Sequence, residues 1–428
     1  MQLNNINHIH FIGIGGIGMS ALARFFVHEG KQVSGSDRAP SAITDALVGE
    51  GVTFFASQVA SHVSSDIDMV VYTEAMSHAH DEMVAAQALG VPMMNYFDAL
   101  GMVANPYHLI AVSGSHGKTT TTAMLIDVLE EASMDPTAIV GSLRSKTGSN
   151  FRAGKGSWAI VEACEYKRDF LSLKPEILVI TNIEHEHVDF YKSLAEVQAA
   201  FRELARKVPA TGFIIAETTH PNLTSVLEGV EATVIDYKHF LDLTLKLHMP
   251  GLHNRFNAAA ASAVAEALKI EKDTTRTALE NFSGTWRRFE YKGLINGAAL
   301  YDDYAHHPSE IAATIAGVRE LYPDKKLIVV FQSHTYTRTT ELFDDFAREL
   351  AKADAVLMLP IYAAREENVS GVTSEQLCDA IVEAGTPATF FHTHEAAALA
   401  VKEMANPEYV IVIMGAGDVT KVADILTK

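Results

Sequence analysis

Ser113-Gly114-Ser115-His116-Gly117-Lys118-Thr119-Thr120-Thr121-Thr122 follows the apolar run Leu109-Ile110-Ala111-Val112 and leads into Ala123-Met124-Leu125-Ile126-Asp127-Val128-Leu129. The order reads as strand, glycine turn, helix. Such a turn lets backbone N–H groups approach an anion, and the helix N-terminus adds positive potential. Lys118 then reaches the β- and γ-phosphates and the Thr119 hydroxyl can ligate Mg²⁺, so Gly114, Ser115, His116, Gly117, Lys118, Thr119 and Thr120 are expected to hold ATP. The usual P-loop pattern has one more glycine, where Val112 stands here. A plain glycine turn with a chance lysine is the simpler alternative. Against it, four consecutive threonines are poor helix formers and need another reason to open a helix.

Around this segment, composition sets bounds. The chain has 428 residues, more than one hydrophobic core usually supports, so two or three domains are expected. With 48% apolar and 20% charged residues it should fold as a globular protein. Its 34 basic and 53 acidic residues give a net charge of −19, which provides no general field for nucleic acid or an anionic membrane. Anionic ligands must be held by local devices. Cys164 and Cys378 cannot build a disulfide framework, and no signal peptide or membrane-spanning run is legible, so a cytoplasmic location without membrane insertion is expected.

The fold class expected is α/β in three domains. Short apolar runs at Ile9–Ile12, Gln32–Ser34 and Met69–Tyr72 alternate with helical stretches such as Ser20 to His28, which predicts a Rossmann-like first domain over 1–105, broken at Asn105-Pro106. Residues 106–286 are read as a P-loop ATPase-like parallel sheet, with strands at Trp158–Glu162 and Ile177–Thr181 and a buried helix at Ala258–Leu268. Residues 287–428 carry strand candidates at Ala298–Tyr301, Leu327–Phe331, Ala355–Leu359 and Tyr409–Met414, a second Rossmann-like domain.

Other motifs cluster at strand ends. Gly13-Ile14-Gly15-Gly16-Ile17-Gly18 matches G-x-G-x-x-G after a strand, and Asp37 lies where a ribose-binding acid would sit. UDP presents the same pyrophosphate as NAD, and two phosphate loops in one chain favour two different nucleotides. Glu162-Ala163-Cys164-Glu165 and Glu184-His185-Glu186-His187 end neighbouring apolar runs; near a nucleotide triphosphate their economical role is Mg²⁺ ligation, with zinc ranked below it because neither cysteine has the spacing of a closed zinc site. Asp302 to Pro308 and Gln332 to Arg338 end two later strands, where histidine and arginine can hold an anionic substrate. For each of these residues alone, a solvated loop charge or a helix cap is the plainer reading.

In one order, His10 to Ser20 with Ser34-Gly35-Ser36-Asp37, Gly114 to Thr122, Thr181-Asn182-Ile183-Glu184 with His187 and Asp189, Gly251 with His253-Asn254 and Asn257, Arg287-Arg288-Phe289, Asp302 to Pro308, and Gly415-Ala416-Gly417 resemble the Mur ligase family nearly end to end. The resemblance implies that backbone N–H groups of Gly15, Gly16 and Ile17 hold a UDP pyrophosphate, with Ser36 and Asp37 on the same substrate. It implies ATP contacts from Asn254, Asn257, Arg288 and Asp303, metal positions at Thr119, Glu162 and His187, and substrate contacts from His307, His334 and Arg338. The implied reaction joins L-alanine to UDP-N-acetylmuramate at the expense of ATP with Mg²⁺. Lys118 stabilises phosphoryl transfer, Arg338 lies on the substrate side, and His187, His307 and His334 are open alternatives for the general base.

Departures from the family pattern are Cys164 in place of an aspartate, Thr335 where a basic residue is usual, and a short stretch from Val234 to Gly251 that suggests a lost hairpin. Phe201 stands nearest to the lysine that sibling ligases carbamylate, so no such modification is expected. The alternatives carried forward are a recycling ligase that attaches a murein tripeptide, an NAD-dependent oxidoreductase and a silent nucleotide-binding regulator. The Thr337-Arg338-Thr339 loop and the segment from Ile361 to Glu366 favour the alanine-adding branch over the recycling one.

Overall fold

Runs of buried β-branched and leucine residues form the centres of three sheets. The computed structural model describes residues 3–187, 190–364 and 366–428. The chain divides into two compact units, Met1–Leu245 with Phe256–Ser283, and Lys246–Arg255 with Gly284–Lys428.

In the first unit, β1 (His8–Ile12), β2 (Gln32–Ser36), β3 (Thr53–Phe55), β4 (Met69–Tyr72) and β5 (Met93–Asn95) lie in the order β3-β2-β1-β4-β5. Every pairing is parallel. The order reverses at β1, the kind of crevice in which doubly wound sheets bind ligands. There Gly13 turns at φ +84°, and a Cβ on it would come within 2.6 Å of Thr73 Cγ2, so only glycine fits. The helix Ile17–His28 follows at once and buries Leu22, Phe25 and Phe26.

The second sheet of this unit contains β6 (His108–Ser113), β7 (Thr137–Arg144), β8 (Ser149–Arg152), β9 (Trp158–Glu162), β10 (Ile177–Ile180), β11 (Phe213–Ala216) and β12 (Thr233–Asp236). Its order is β12-β11-β10-β6-β9-β7-β8. All pairs are parallel except β7 with β8, so the sheet is mixed rather than wholly parallel. The reason is local, because the connection between β7 and β8 is far too short for a crossover and can only make a hairpin. Parallel β6, β9 and β10 end at one edge and deliver Gly114, Glu162 and Thr181 there. The helix Lys118–Glu131 is buried without interruption from Thr119 to Leu129, which its apolar second half requires. The predicted alanine-rich helix is part of Leu252–Ala267, with Ala258 to Ala261 buried. From β12 the chain passes through a short 3-10 turn, Tyr237–Phe240, to that helix, with no hairpin between.

In the second unit, β13 (Glu290–Ile295), β14 (Ala298–Asp303), β15 (Lys326–Phe331), β16 (Ala355–Met358), β17 (Ala388–Phe390) and β18 (Tyr409–Met414) lie in the order β13-β14-β18-β15-β16-β17. Only β13 runs antiparallel. Alternate residues of β15 and β18 feed separate cores, Leu327, Val329 and Phe331 on one face and Ile328 and Val330 on the other. The parallel ends of β14, β15 and β18 bring Asp303, Gln332 and Gly415 to one edge.

Candidate active site

Glycine in the loop after β6 is required by conformation and by space. Gly114 and Gly117 have φ of +132° and +82°, and added Cβ atoms would lie 2.1 Å from Thr181 Oγ1 and 2.3 Å from Asn257 Oδ1. The loop is braced from the end of β10: the Asn182 carboxamide accepts from His116 N at 2.9 Å and donates to His116 O at 3.1 Å. Thr181 Oγ1 donates to His116 O at 2.5 Å. Ser115 Oγ accepts from Glu184 N at 2.8 Å. Thr181 and Asn182 thus set the loop's shape, a role that spacing alone did not expose.

At the head of the helix, Thr119 Oγ1 donates to Glu162 Oε1 at 2.9 Å, and Gly141 N donates to Glu162 Oε2 at 2.8 Å. A side chain at Gly141 would collide with that carboxylate, 2.5 Å from an added Cβ. Thr122 bonds back to Lys118 O at 2.8 Å, while the buried Thr121 hydroxyl has no partner among the described residues. Thr119 and Glu162, paired as expected, form the hard oxygen set that suits Mg²⁺.

Lys118 donates to Gly114 O, to Ser115 O at 3.0 Å and to Glu165 Oε1 at 3.1 Å. Burial opposes its charge, but Glu165 more than offsets this and holds the ammonium above its ordinary pKa. Burial likewise pushes against the Glu165 charge, and Lys118 and His187 overcome it, leaving that carboxyl below its usual range. Burial together with Glu165 pushes the Cys164 thiol up to about 12. His187 lies 3.4 Å from Glu165 through Nε2 and has φ +53°; Lys167 and Arg168 are also left-handed. Three such residues around one carboxylate mark stored backbone strain. His187 therefore stands with Glu165 and Cys164, the three offering ligand atoms within 4.8 Å of one another. Asp189 and Arg365 lie outside the described residues. Phe201 is fully buried, edge-on to Phe170 at 5.1 Å.

In the glycine-rich turn after β1, Gly15 N donates to Asp37 Oδ2 at 2.8 Å, and Arg38 N donates to Asp37 Oδ1 at 2.7 Å. Gly16 stands at the N-cap of the helix Ile17–His28 without a side-chain cap bond, and its own N–H donates to Gly13 O at 3.2 Å. Ser36 is fully buried and gives its hydroxyl to Glu82 at 2.6 Å.

In the second unit, Arg287 is buried against Asp302 and donates to the carbonyls of Gly415 and Gly417, tying the end of β14 to the loop after β18. Asp303 accepts from Phe289 N at 3.0 Å and Ala305 N at 2.8 Å, and burial raises it to about 6 against the pull of Arg288. Arg288 stacks over Tyr304 at 5.1 Å and approaches Glu310 at 3.9 Å. Asn254 donates to Pro250 O at 2.8 Å. His307 caps the helix Pro308–Leu321 in a capping box with Glu310. Arg338 approaches His334 Nδ1 at 3.4 Å, and His334 stacks on Tyr362 at 5.5 Å. Burial and Arg338 lower His334 to about 4. His306, which the motif reading left without a role, joins this group: its ring lies 6.2 Å from His334 and its Nδ1 donates to Tyr304 O at 2.9 Å. Thr335, at φ +69°, caps the following helix by accepting from Arg338 N at 3.4 Å.

Three family descriptions match in order: "Mur ligase family, catalytic domain" at residues 8–108, "Mur ligase middle domain" at 112–239 and "Mur ligase, glutamate ligase domain" at 287–417. The chain belongs to the Mur ligase family. A UDP-N-acetylmuramate–L-alanine ligase of Lachnospira eligens is 38% identical, over 100% of this chain and 99% of its own. The solved UDP-N-acetylmuramate-alanine ligase of Thermotoga maritima is 26% identical, with a TM-score of 0.83 over 99% of this chain and 98% of that one. A folylpolyglutamate synthase of Mycobacterium tuberculosis, solved with ADP and AMPPCP, shares the Mur ligase fold at 17% identity and a TM-score of 0.60, over 78% of this chain and 94% of that one. Among the described residues no helix is long and apolar enough to cross a membrane.

Proposed function

We propose that this Mur ligase joins L-alanine to the lactyl carboxylate of UDP-N-acetylmuramate, forming ADP and phosphate. The observation that carries the reading is the head of the Lys118–Glu131 helix: a glycine turn, a lysine beside it, and the Thr119 hydroxyl on the Glu162 carboxylate at 2.9 Å. Those groups meet the β- and γ-phosphates of a nucleotide, and the full-length likeness to alanine-adding relatives supplies the substrate class.

The chemistry follows from charge. A carboxylate resists attack by an amine because oxide is a poor leaving group. Transfer of the γ-phosphoryl to a carboxylate oxygen breaks the bond to ADP and makes an acyl phosphate; the amine then attacks its carbonyl carbon, loses a proton to a base and expels phosphate. Lys118 offsets the charge that builds on the phosphoryl oxygens, and the helix N-terminus adds to it. Thr119 and Glu162 are the residues that would hold Mg²⁺, which would supply positive charge against the charge developing in phosphoryl transfer; His187, assigned to the metal by the family resemblance, stands with Glu165 and Cys164. In this reading Gly15, Gly16 and Ile17 are assigned to the UDP diphosphate and Asp37 to the ribose; the Gly15 N–H must then leave Asp37 Oδ2, 2.8 Å away, and the Gly16 N–H must leave Gly13 O, 3.2 Å away. By the same reading Asn257, packed on Gly117, contacts ATP; Asn254, Arg288 and Asp303 keep the nucleotide role, and His307, His334 and Arg338 the substrate role, that the family resemblance implies. His334 is neutral at physiological pH, as a base must be. The three-part division at about 105 and 286 assigns the sugar nucleotide to the first part, ATP to the second and the substrate-side residues His307, His334 and Arg338 to the third.

The test is ADP release from ATP with UDP-N-acetylmuramate and either L-alanine or a murein tripeptide. Release with L-alanine is expected. Release with the tripeptide alone would move the protein to the recycling branch, and NADH binding without sugar-nucleotide binding would remove it from ligase chemistry.

A further inference from the structure

Asn150 is fully buried on β8, in the second sheet, yet its hydrogen bonds go to the helix that opens the glycine-rich turn of the first. Its Nδ2 donates to Ile17 O at 2.5 Å and to Ser20 Oγ at 2.9 Å, and its Oδ1 accepts from Arg24 Nη1 at 2.5 Å. Arg24 is in turn fixed by Glu50, with Nε 2.9 Å from each carboxylate oxygen. One carboxamide thus gathers three positions on one face of the helix, from 133, 130 and 126 residues away.

The contact to Ile17 O bears on function. Ile17 is the first helical residue, and its carbonyl shares a peptide with the N–H of Gly18, one of the first-turn donors that a helix cannot satisfy internally. A side-chain donor on that carbonyl polarises the peptide and fixes its tilt. On the other side Tyr96 closes in, 2.6 Å from where a Cβ on Gly18 would sit, so the turn is gripped between two elements.

The β7–β8 ribbon that carries Asn150 also reaches the ATP loop. Its Gly141 N–H holds Glu162 at 2.8 Å, and the buried Arg144 pairs with Asp127 and with Glu130 at 3.0 Å on the Lys118–Glu131 helix. We propose that Asn150 is a positioning residue for the sugar nucleotide, holding the first turn of the Ile17–His28 helix in the orientation that receives the diphosphate, from the same ribbon that orients Glu162. The proposal rests on the functional reading above.

The experiment titrates the full chain with UDP-N-acetylmuramate and, separately, with ADP, for the wild type and for Asn150→Asp, Asn150→Ser and Ser20→Ala. The aspartate keeps the acceptor for Arg24 and loses the donor to Ile17; the serine serves as second variant if the aspartate fails to fold. Both are expected to weaken the sugar nucleotide about tenfold or more while ADP affinity stays within about twofold, and Ser20→Ala, which removes the hydroxyl's own 2.9 Å bond to Ile17 O but spares that of Asn150, should stay within about threefold for both ligands. A merely structural asparagine would lower both affinities together with the melting temperature. Parallel loss of both, or undiminished sugar-nucleotide binding in the Asn150 variants beside a binding wild type, would overturn the proposal. Failure of the wild type to bind UDP-N-acetylmuramate would instead remove the functional reading and this proposal with it.

Discussion

Lys118 is held by Glu165, its ammonium nitrogen 3.1 Å from one carboxylate oxygen and 3.0 Å from the other, with side-chain exposures of only 14% and 1%. At that burial the pair is poorly screened, so phosphate oxygens must compete with Glu165 for the lysine. Removing one partner of a buried pair typically costs about 3 kcal/mol or more. Glu165→Gln is therefore expected to lower the melting temperature of the ligand-free protein while increasing the upward shift that ADP produces, because the lysine no longer has to leave a carboxylate. An unchanged ADP shift would mean that the pair does not compete with nucleotide.

Lys118→Ala should abolish turnover and leave UDP-N-acetylmuramate affinity within about twofold, since the lysine serves the loop after β6 and the sugar nucleotide is assigned to the turn after β1. Calorimetric titration of the variant decides it. Equal loss of sugar-nucleotide binding would contradict that division of labour.

Arg338→Ala should raise KM for the sugar nucleotide or for L-alanine by about tenfold, more than for ATP. The guanidinium approaches the neutral His334 at 3.4 Å, and no carboxylate neutralises it there among the contacts described, so it keeps charge to offer an anionic group. A KM effect confined to ATP would move Arg338 to the nucleotide side.

His306 and His334 sit below the ordinary imidazole range, at about 3 and about 4, with burial the main cause in each and Arg338 adding to it. The unfolded rings take up protons below about pH 6.5 while the folded ones do not until about 3 to 4, so stability falls as pH drops through that interval. Asp303, raised by burial to about 6, works the other way, because the folded state binds its proton first. His334→Asn should thus flatten the loss of urea stability between pH 7 and pH 5, and Asp303→Asn should steepen it. Identical pH slopes in wild type and both variants would contradict these assignments.

Much of this was legible before any coordinates, and the reasons are local. The strands β6, β10, β15 and β18 are built on continuous apolar runs, β1 interleaves His8 and His10 with Ile9, Phe11 and Ile12, and Gly13, Gly114 and Gly117 occupy turns where left-handed backbone and close neighbours exclude a side chain. Edge strands were harder. β3, β5, β8 and β17 are three or four residues long, and the polar Ser149–Arg152 announces neither a strand nor the antiparallel hairpin that makes the central sheet mixed. In the site, Thr119 and Glu162 meet as their motif suggests, but the lysine's partner did not stand out. Glu165 lies 47 residues from Lys118 and only folding brings them together. His187 falls beside Glu165, and His306 joins His334, through loop geometry that spacing does not encode.

The central claim is γ-phosphoryl transfer to the substrate carboxylate. Lys118 and the Thr119–Glu162 pair stand at the head of the loop after β6, to which the proposed function assigns the β- and γ-phosphates and the charge that builds in that transfer; adenylation would need stabilisation at the α-phosphate instead. UDP-N-acetylmuramate carrying heavy oxygen in both carboxylate positions, turned over with ATP and L-alanine, should deliver one labelled oxygen into inorganic phosphate for each amide formed, with ADP as coproduct. Label in AMP, or pyrophosphate among the products, would contradict the account.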